Sequence, residues 1–440
     1  MNWFQKLRRD DLLGKVINHS AHLFSSNSVS LVLSVVQGVL AARLLGPASY
    51  GLLAIVMSYA STVNGFFSFR MSETVVRYGG EYLEKKELQK AAALIKAAGL
   101  TEAAVSILAF VVVVLTAGLA TRFIAKTPDI QWMFIVYSIG LLANFNTETS
   151  TGILQITDKI KLQGTINLIQ SIVTALMVVA TFLLKGPLTF VLATYLIGKV
   201  MMGLGIFIAA QIHLRRALGG GWWKAPFASL PSFRELARFA ISSNLSATVI
   251  LIFRESEILW VGYFLNSSAA GYYRVAYNIV ILLSIPADPL ILTVYPELNR
   301  LIVQRAWPRL RDFLRKVTTL SFAYNMLMAL GLILFGHWVL LVFGSQYVVA
   351  YPALMALLIG IAFNYTFFWN RPLLLSLNLP VFPLWATLLA GLFKVGLAFP
   401  LVPRYGYVME GVLLSLYFIV SVGLMVWRGL AEIRHLEMVR

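Results

Sequence analysis

Residues 23–51 read LFSSNSVSLVLSVVQGVLAARLLGPASYG. Residues 23–45 hold no acid, and their single base, Arg43, lies near the end. About 20 predominantly apolar residues are enough to cross the hydrocarbon core as a helix. The stretch therefore predicts one membrane span over 23–45. Eleven more apolar runs follow, near 49–69, 99–120, 130–153, 166–184, 188–212, 239–265, 269–292, 319–343, 351–375, 381–402 and 411–427. They are too long and too continuously apolar for the alternating strands of a membrane barrel. The expected fold class is an all-α polytopic membrane protein with about twelve transmembrane helices.

Composition agrees. Of 440 residues, 59% are hydrophobic and 12% charged, against about 45–50% and 25% in soluble domains. A net charge of +17 would suggest nucleic acid in a soluble chain. Its placement argues otherwise. With the N-terminus in the cytoplasm and the spans alternating, 25 of the 36 Lys and Arg fall in inner segments and five in outer ones. That asymmetry is the positive-inside signal, so both termini are expected in the cytoplasm and no nucleic-acid partner is expected. The chain has no cysteine, which excludes disulfides and thiolate chemistry. No short apolar core with a cleavage site opens the chain, so the first span is expected to act as its own targeting signal. Residues 3–16 interleave Trp3, Phe4, Leu7, Leu12, Leu13 and Val16 with Lys6, Arg8, Arg9 and Lys15, the pattern of an amphipathic interfacial helix.

The second half repeats the first. Ser25-Ser26-Asn27 returns as Ser242-Ser243-Asn244, and the Gly51 that ends the opening stretch has its counterpart in Gly271. Charged amphipathic segments follow the second and eighth runs, at 77–96 and 300–316. Six spans per half give both halves the same orientation, the parallel-repeat plan of transporters. The expected organisation is an N-terminal lobe over 1–213, a basic linker over 214–235 with Gly219-Gly220-Gly221, and a C-terminal lobe over 236–440.

Catalytic signatures are sparse. Neither Gly14-Lys15 nor Gly198-Lys199 sits in a phosphate loop. His19 and His22 lack an acidic third ligand nearby, so no metal or cofactor is expected, and no enzymatic activity. The informative residues are ionisable groups inside spans, which are costly against lipid and so face a cavity or one another. The bases are Arg70, Lys199, Arg254, Arg274, Arg371 and Lys394; the acids are Glu73, Glu102, Glu148, Glu255, Glu257 and Asp288. Arg70 with Glu73 and Arg254 with Glu257 are spaced to pair on one helical face. Gln37 is the first-half counterpart of Arg254. Asp288 lies between Pro286 and Pro289, where a helix must kink. The outer loops carry two acids, Asp129 and Glu410, and none exceeds nine residues, which argues against a membrane-embedded glycosyltransferase or polymerase. A cavity framed by spans 1, 2, 7 and 8 and faced by arginines suits an anionic substrate.

The run Leu45-Gly46-Pro47-Ala48-Ser49-Tyr50-Gly51 after Ala41-Ala42-Arg43-Leu44 resembles the polysaccharide transporter family. These are the O-antigen and exopolysaccharide flippases of the multidrug/oligosaccharidyl-lipid/polysaccharide exporter superfamily. Ala270-Gly271-Tyr272-Tyr273, Pro286 and Tyr295-Pro296-Glu297-Leu298 resemble its second-half pattern. The resemblance implies a MATE-like fold of two six-helix lobes in a bacterial cytoplasmic membrane. It implies alternating access, ion gradients or membrane potential rather than ATP, and a polyprenyl-pyrophosphate-linked oligosaccharide as cargo for cell-surface polysaccharide such as lipopolysaccharide. Membrane lipids and a polysaccharide polymerase are the expected partners. Arg254, Arg274, Arg70, Gln37, Lys199 and Lys394 are the candidate substrate ligands; Glu257, Asp288 and Glu73 are the candidate gating or coupling groups. A MATE-like exporter of small cationic molecules is the alternative and requires acids to dominate the cavity.

Overall fold

The computed structural model describes residues 11–68, 71–230, 251–284 and 287–438, without the side chains of 11–25, Asn27, Ser28, Ser284, 287–289 and Leu292. The chain is helical, and no strand occurs among the described residues. Among the described residues the fourteen longer helices are α1 (Asp11–Phe67), α2 (Leu88–Leu119), α3 (Gln131–Ala143), α4 (Thr147–Ile156), α5 (Ile160–Leu183), α6 (Leu188–Leu218) and α7 (Glu257–Phe264). They continue as α8 (Ser267–Val280), α9 (Ala287–Val303), α10 (Trp307–Phe343), α11 (Tyr351–Thr366), α12 (Asn370–Ser376), α13 (Phe382–Tyr405) and α14 (Tyr407–Met438).

Eight described stretches are long and apolar enough to cross a membrane. The first of them, Val29–Glu84, contains two of the sequence-predicted spans. Three more expected spans escape a continuous-helix criterion because the helix is broken or falls partly outside the described residues. The span near 130–153 is split between α3 and α4 at 144–146, a break that recurs at 367–369 within the repeat counterpart, which is still one of the eight as Ser345–Ser376, and the span near 239–265 falls partly outside the described residues. The span near 269–292 is split between α8 and α9 by a 3₁₀ turn, Ile281–Ser284. The breaks at 144–146 and 367–369 are repeated features of the two halves that sequence periodicity did not signal, whereas the one at 281–284 lies beside the Pro286–Pro289 stretch where a kink is expected.

α1 joins the first two expected spans without a loop. Its break is Gly46, at φ 69° and ψ 172°, a left-handed position open to glycine, followed by Pro47. The helix axis changes there.

The chain divides into two compact units, one of 1–44, 59–121 and 128–248, the other of 45–58, 122–127 and 249–440. In the first, Ile95, Ile153, Leu154, Ile206 and Leu214 form an apolar core, with Trp222 packed against it. The residues after α6 are docked rather than loose. Lys96 Nζ donates to the Ala225 carbonyl at 3.2 Å and lies 4.3 Å over the Phe227 ring. In the second unit, Leu298, Leu310, Trp369, Leu373 and Ile433 form an apolar core where α9, α10, α12 and α14 meet. Large apolar side chains also line the outside: Leu115 is 76% exposed, Leu183 73% and Trp338 69%. A soluble protein could not carry such a surface; lipid covers it.

Candidate functional site

Within the second unit, Glu257 opens α7, Lys394 lies mid-way along α13, and Glu410 lies in the first turn of α14. All three are enclosed: Glu257 and Lys394 are 2% exposed and Glu410 0%. Lys394 Nζ donates to Glu257 Oε1 and stands 2.9 Å from Glu410 Oε1. The other Glu257 oxygen accepts from the Tyr273 hydroxyl at 2.7 Å. Both Glu410 oxygens lack a well-directed hydrogen bond, so Lys394 holds that carboxylate by charge more than by geometry. Stranded singly, any of these ions would be several kcal/mol out of place. One ammonium between two carboxylates leaves a negative charge locally, which a proton or small cation would neutralise.

Glu410 corrects the sequence reading. The sequence places it in the outer connection between the apolar runs 381–402 and 411–427. The loop is only Gly406, at φ 78°, and α14 begins at Tyr407, which turns Glu410 inward.

The pairing of Arg254 with Glu257 that their spacing allows is absent. Arg254 lies in a π-helical turn, Leu251–Glu255, and α7 begins after Ser256. The i,i+3 rule assumes one regular helix, and this break separates the two side chains. Arg254 Cζ instead stacks 5.5 Å over the Phe418 ring, and Nη2 donates to the Tyr365 hydroxyl at 3.4 Å. Tyr277, Tyr417 and the adjacent Glu255 are also within electrostatic reach. Among the described residues Arg254 has no carboxylate within ion-pair distance. The turn that carries it is set by Phe253, whose ring fills the space a Cβ on Gly391 would take, 2.2 Å away.

Arg274, on α8, lies against the Tyr50 hydroxyl, which also accepts from Asn278 Nδ2 at 3.4 Å. Arg254 and Arg274 both belong to the second unit, and each is half-buried against tyrosines.

The first unit holds a smaller polar site. Glu102, on α2, accepts from the backbone N–H groups of Glu148 and Thr149 at 2.8 and 2.9 Å. Those are first-turn donors of α4, left unpaired by the break at 144–146, and a carboxylate is their favourable partner. Ser72 Oγ donates to Glu148 Oε2 at 2.6 Å. Glu102, Glu148, Asn144 and Lys199 line a cavity of about 200 Å³, and Lys199 Nζ lies 5.3 Å from the Tyr137 ring. Gln37 is 5% exposed and donates to the Ser171 carbonyl at 3.1 Å, tying α1 to α5. Glu73 is exposed and partnered. Arg70 and Asn244 lie outside the described residues, as does the side chain of Asp288. No group of three or more His, Cys, Asp or Glu able to hold a metal occurs among the described residues.

Sequence reasoning noticed Glu102 and Glu148 but assigned them no role. It missed Glu410, Tyr273 and Tyr365. Tyr273 stood in a quoted motif; nothing in the sequence tied it to Glu257.

A bundle of long apolar helices, broken at repeated positions and enclosing ion pairs, defines a polytopic membrane protein with the fold of MATE transporters. The chain matches the polysaccharide biosynthesis protein family over residues 17–302 and belongs to it. It is 26% identical over 355 residues to the inner membrane protein YghQ of Escherichia coli (strain K12), covering 80% of this chain and 97% of the relative. An inward-facing multidrug resistance MATE transporter superposes with a TM-score of 0.76 at 14% identity, over 93% of this chain and 96% of the other. The lipid II flippase MurJ, in an inward closed conformation, superposes at 0.71 and 16% identity, over 96% and 90%. A superfamily transporter from Pyrococcus furiosus, described as having a binding pocket of reversed polarity, superposes at 0.65 and 14%, over 99% of each chain. At these identities the superpositions establish the fold.

Proposed function

We propose that the protein is a flippase that moves a polyprenyl-pyrophosphate-linked oligosaccharide across the bacterial cytoplasmic membrane by alternating access, for cell-surface polysaccharide such as lipopolysaccharide. Both termini face the cytoplasm in this reading, and a polysaccharide polymerase receives the product. The observation that carries it is Arg254, a half-buried guanidinium with aromatic neighbours and, among the described residues, no carboxylate within ion-pair distance, the exposed Glu255 beside it acting only through its field. Such an arginine is costly unless an anion uses it, and its planar fork matches a phosphate. Arg274 is the second ligand. Lys199, Arg70 and Gln37 complete the expected set from the first half of the chain. Lys394 is better assigned to coupling: a phosphate could reach it only by displacing a carboxylate. It acts with Glu257 and Glu410, where an arriving proton or cation would loosen the ammonium's hold on one helix and so bias α13 against α14. Glu73 and Asp288 remain gating candidates.

The test is export of the lipid-linked glycan by cells in which this chain is the sole flippase for it. Arg254→Ala should abolish export with membrane insertion and melting temperature preserved, and Arg254→Lys should keep a fraction. Full export by Arg254→Ala would remove the reading. Export of small cations that survives Arg254→Ala but not Glu102→Gln would favour the MATE-like alternative, since Glu102 and Glu148 line the first-unit cavity.

A further inference from the structure

Each unit contains an apolar pocket that the flippase reading does not use. In the first unit a cavity of about 630 Å³ lies among α2, α4 and α6, lined by Gly99, Asn146, Phe207 and Ile208, with Lys96 and Arg215 also on its wall. In the second a cavity of about 730 Å³ lies among α10, α11 and α14, lined by Thr319, Phe322, Phe363 and Thr366, with Arg311 and Arg315. The two are the same site in the two repeats. Gly99 and Thr319 are 220 residues apart, and so are Asn146 and Thr366.

Each pocket also carries two bases, though not at repeat-equivalent positions: Lys96 on α2 and Arg215 on α6 in one, Arg311 and Arg315 both on α10 in the other. In each pocket one base is already engaged: Lys96 with the Ala225 carbonyl, Arg311 with Glu437. In each the other base, Arg215 or Arg315, is exposed and has no acidic partner among the described residues. Tryptophans line both, Trp222 and Trp223 in one and Trp369 in the other, the residue type that prefers the membrane–water boundary.

We propose that each pocket seats one anionic glycerophospholipid of the surrounding bilayer. Its acyl chain would lie in the apolar part, and its phosphate would rest on Arg215 in the first unit and Arg315 in the second. Basic pockets between membrane helices are established anionic-lipid sites in general. Depth selects a bilayer lipid over the long polyprenyl carrier. At 1.5 Å per residue, the apolar wall runs ~10 Å from Lys96 to Ala103 and ~21 Å from Arg315 to Ala329. These lengths bracket the ~15 Å of one leaflet, half the hydrocarbon core. The sites are separate from the Arg254 and Glu257 groups, so the inference stands whether or not the cargo is a lipid-linked glycan.

The experiment is native mass spectrometry of the full chain released from nanodiscs of phosphatidylglycerol, of phosphatidylcholine, or of an equal mixture. From the mixture the wild-type protein should retain up to two phosphatidylglycerol molecules in preference to phosphatidylcholine. Arg215→Ala and Arg315→Ala should each lower that number by one, and the double variant should abolish the preference. Ala362→Trp, which fills the second pocket and leaves both arginines in place, should remove one lipid. Melting temperature in detergent confirms that each variant is folded. Equal retention of the two lipids, or an undiminished preference in the folded double variant, would overturn the proposal. So would displacement of phosphatidylglycerol by an equimolar amount of undecaprenyl phosphate, which would assign the pockets to the carrier.

Discussion

The backbones of Gly51 and Gly271 touch. A Cβ on Gly51 would lie 1.8 Å from the Ser267 carbonyl oxygen and 2.7 Å from the Gly271 nitrogen, and one on Gly271 would lie 2.1 Å from the Pro47 carbonyl oxygen. The 220-residue offset makes the two glycines equivalent positions; the structure makes them neighbours. Their contact lets the stretch after Gly46 lie directly on α8 and brings Tyr50 beside Arg274.

Gly51→Ala and Gly271→Ala should therefore each destabilise the protein. Overpacking costs about 1–3 kcal/mol, and here the opposing atoms are backbone, which cannot rotate away. Thermal melting in detergent checks this, with Gly396→Ala as the comparison. Gly396 lies in α13 with nothing within 4 Å of its Cβ direction, so alanine there should be neutral or stabilise by up to ~1 kcal/mol. Equal melting of all three variants would contradict the contact.

Lys394→Met should destabilise by roughly 3–5 kcal/mol, because it strands two enclosed carboxylates. Adding Glu257→Gln and Glu410→Gln should recover most of that stability and leave the protein folded but transport-inactive. A single Lys394→Met protein that melts like wild type would mean the cluster holds no buried charge. A triple variant with full transport would remove it from coupling.

Gly391→Ala should push on the Phe253 ring and shift the turn that carries Arg254. We expect lower stability and lower export from the single variant. Phe253→Ala in the same chain should recover part of the stability, with a coupling of about 0.5–3 kcal/mol in a double-mutant cycle. Strict additivity would show that the two side chains do not meet.

Orientation can be read directly, because the chain has no cysteine of its own. Gly220→Cys should resist an impermeant thiol reagent added to intact cells. Pro128→Cys, in the short connection before α3, should react. The reverse pattern would invert the topology inferred from the basic residues.

How much of this was legible in advance depends on the range of the interaction. Crossing a membrane is decided by composition over about 20 residues, and orientation by bases within a loop. Membrane crossing can thus be read along the chain, so the all-helical polytopic fold class followed from sequence. The breaks at 144–146 and 367–369 could not be read that way. No proline stands at either break, and the one at 144–146 persists because Glu102, elsewhere in the chain, satisfies the freed backbone of α4. Arg254 and Glu257 show the same limit: three residues apart they should meet on a regular helix, and the turn that parts them is set by Gly391, far along the chain.

The sequence by itself determined that this protein spans a membrane repeatedly, in two similar halves, with charges inside its spans, since hydrophobicity and repetition are properties of the chain. Only the tertiary structure decided which charges meet: Lys394 with Glu257 and Glu410, and Arg254 with aromatic rings rather than an acid. The physical reason is that an ion inside an apolar bundle pairs with whatever group helix packing brings within about 4 Å. Packing joins residues more than a hundred positions apart that no local pattern relates.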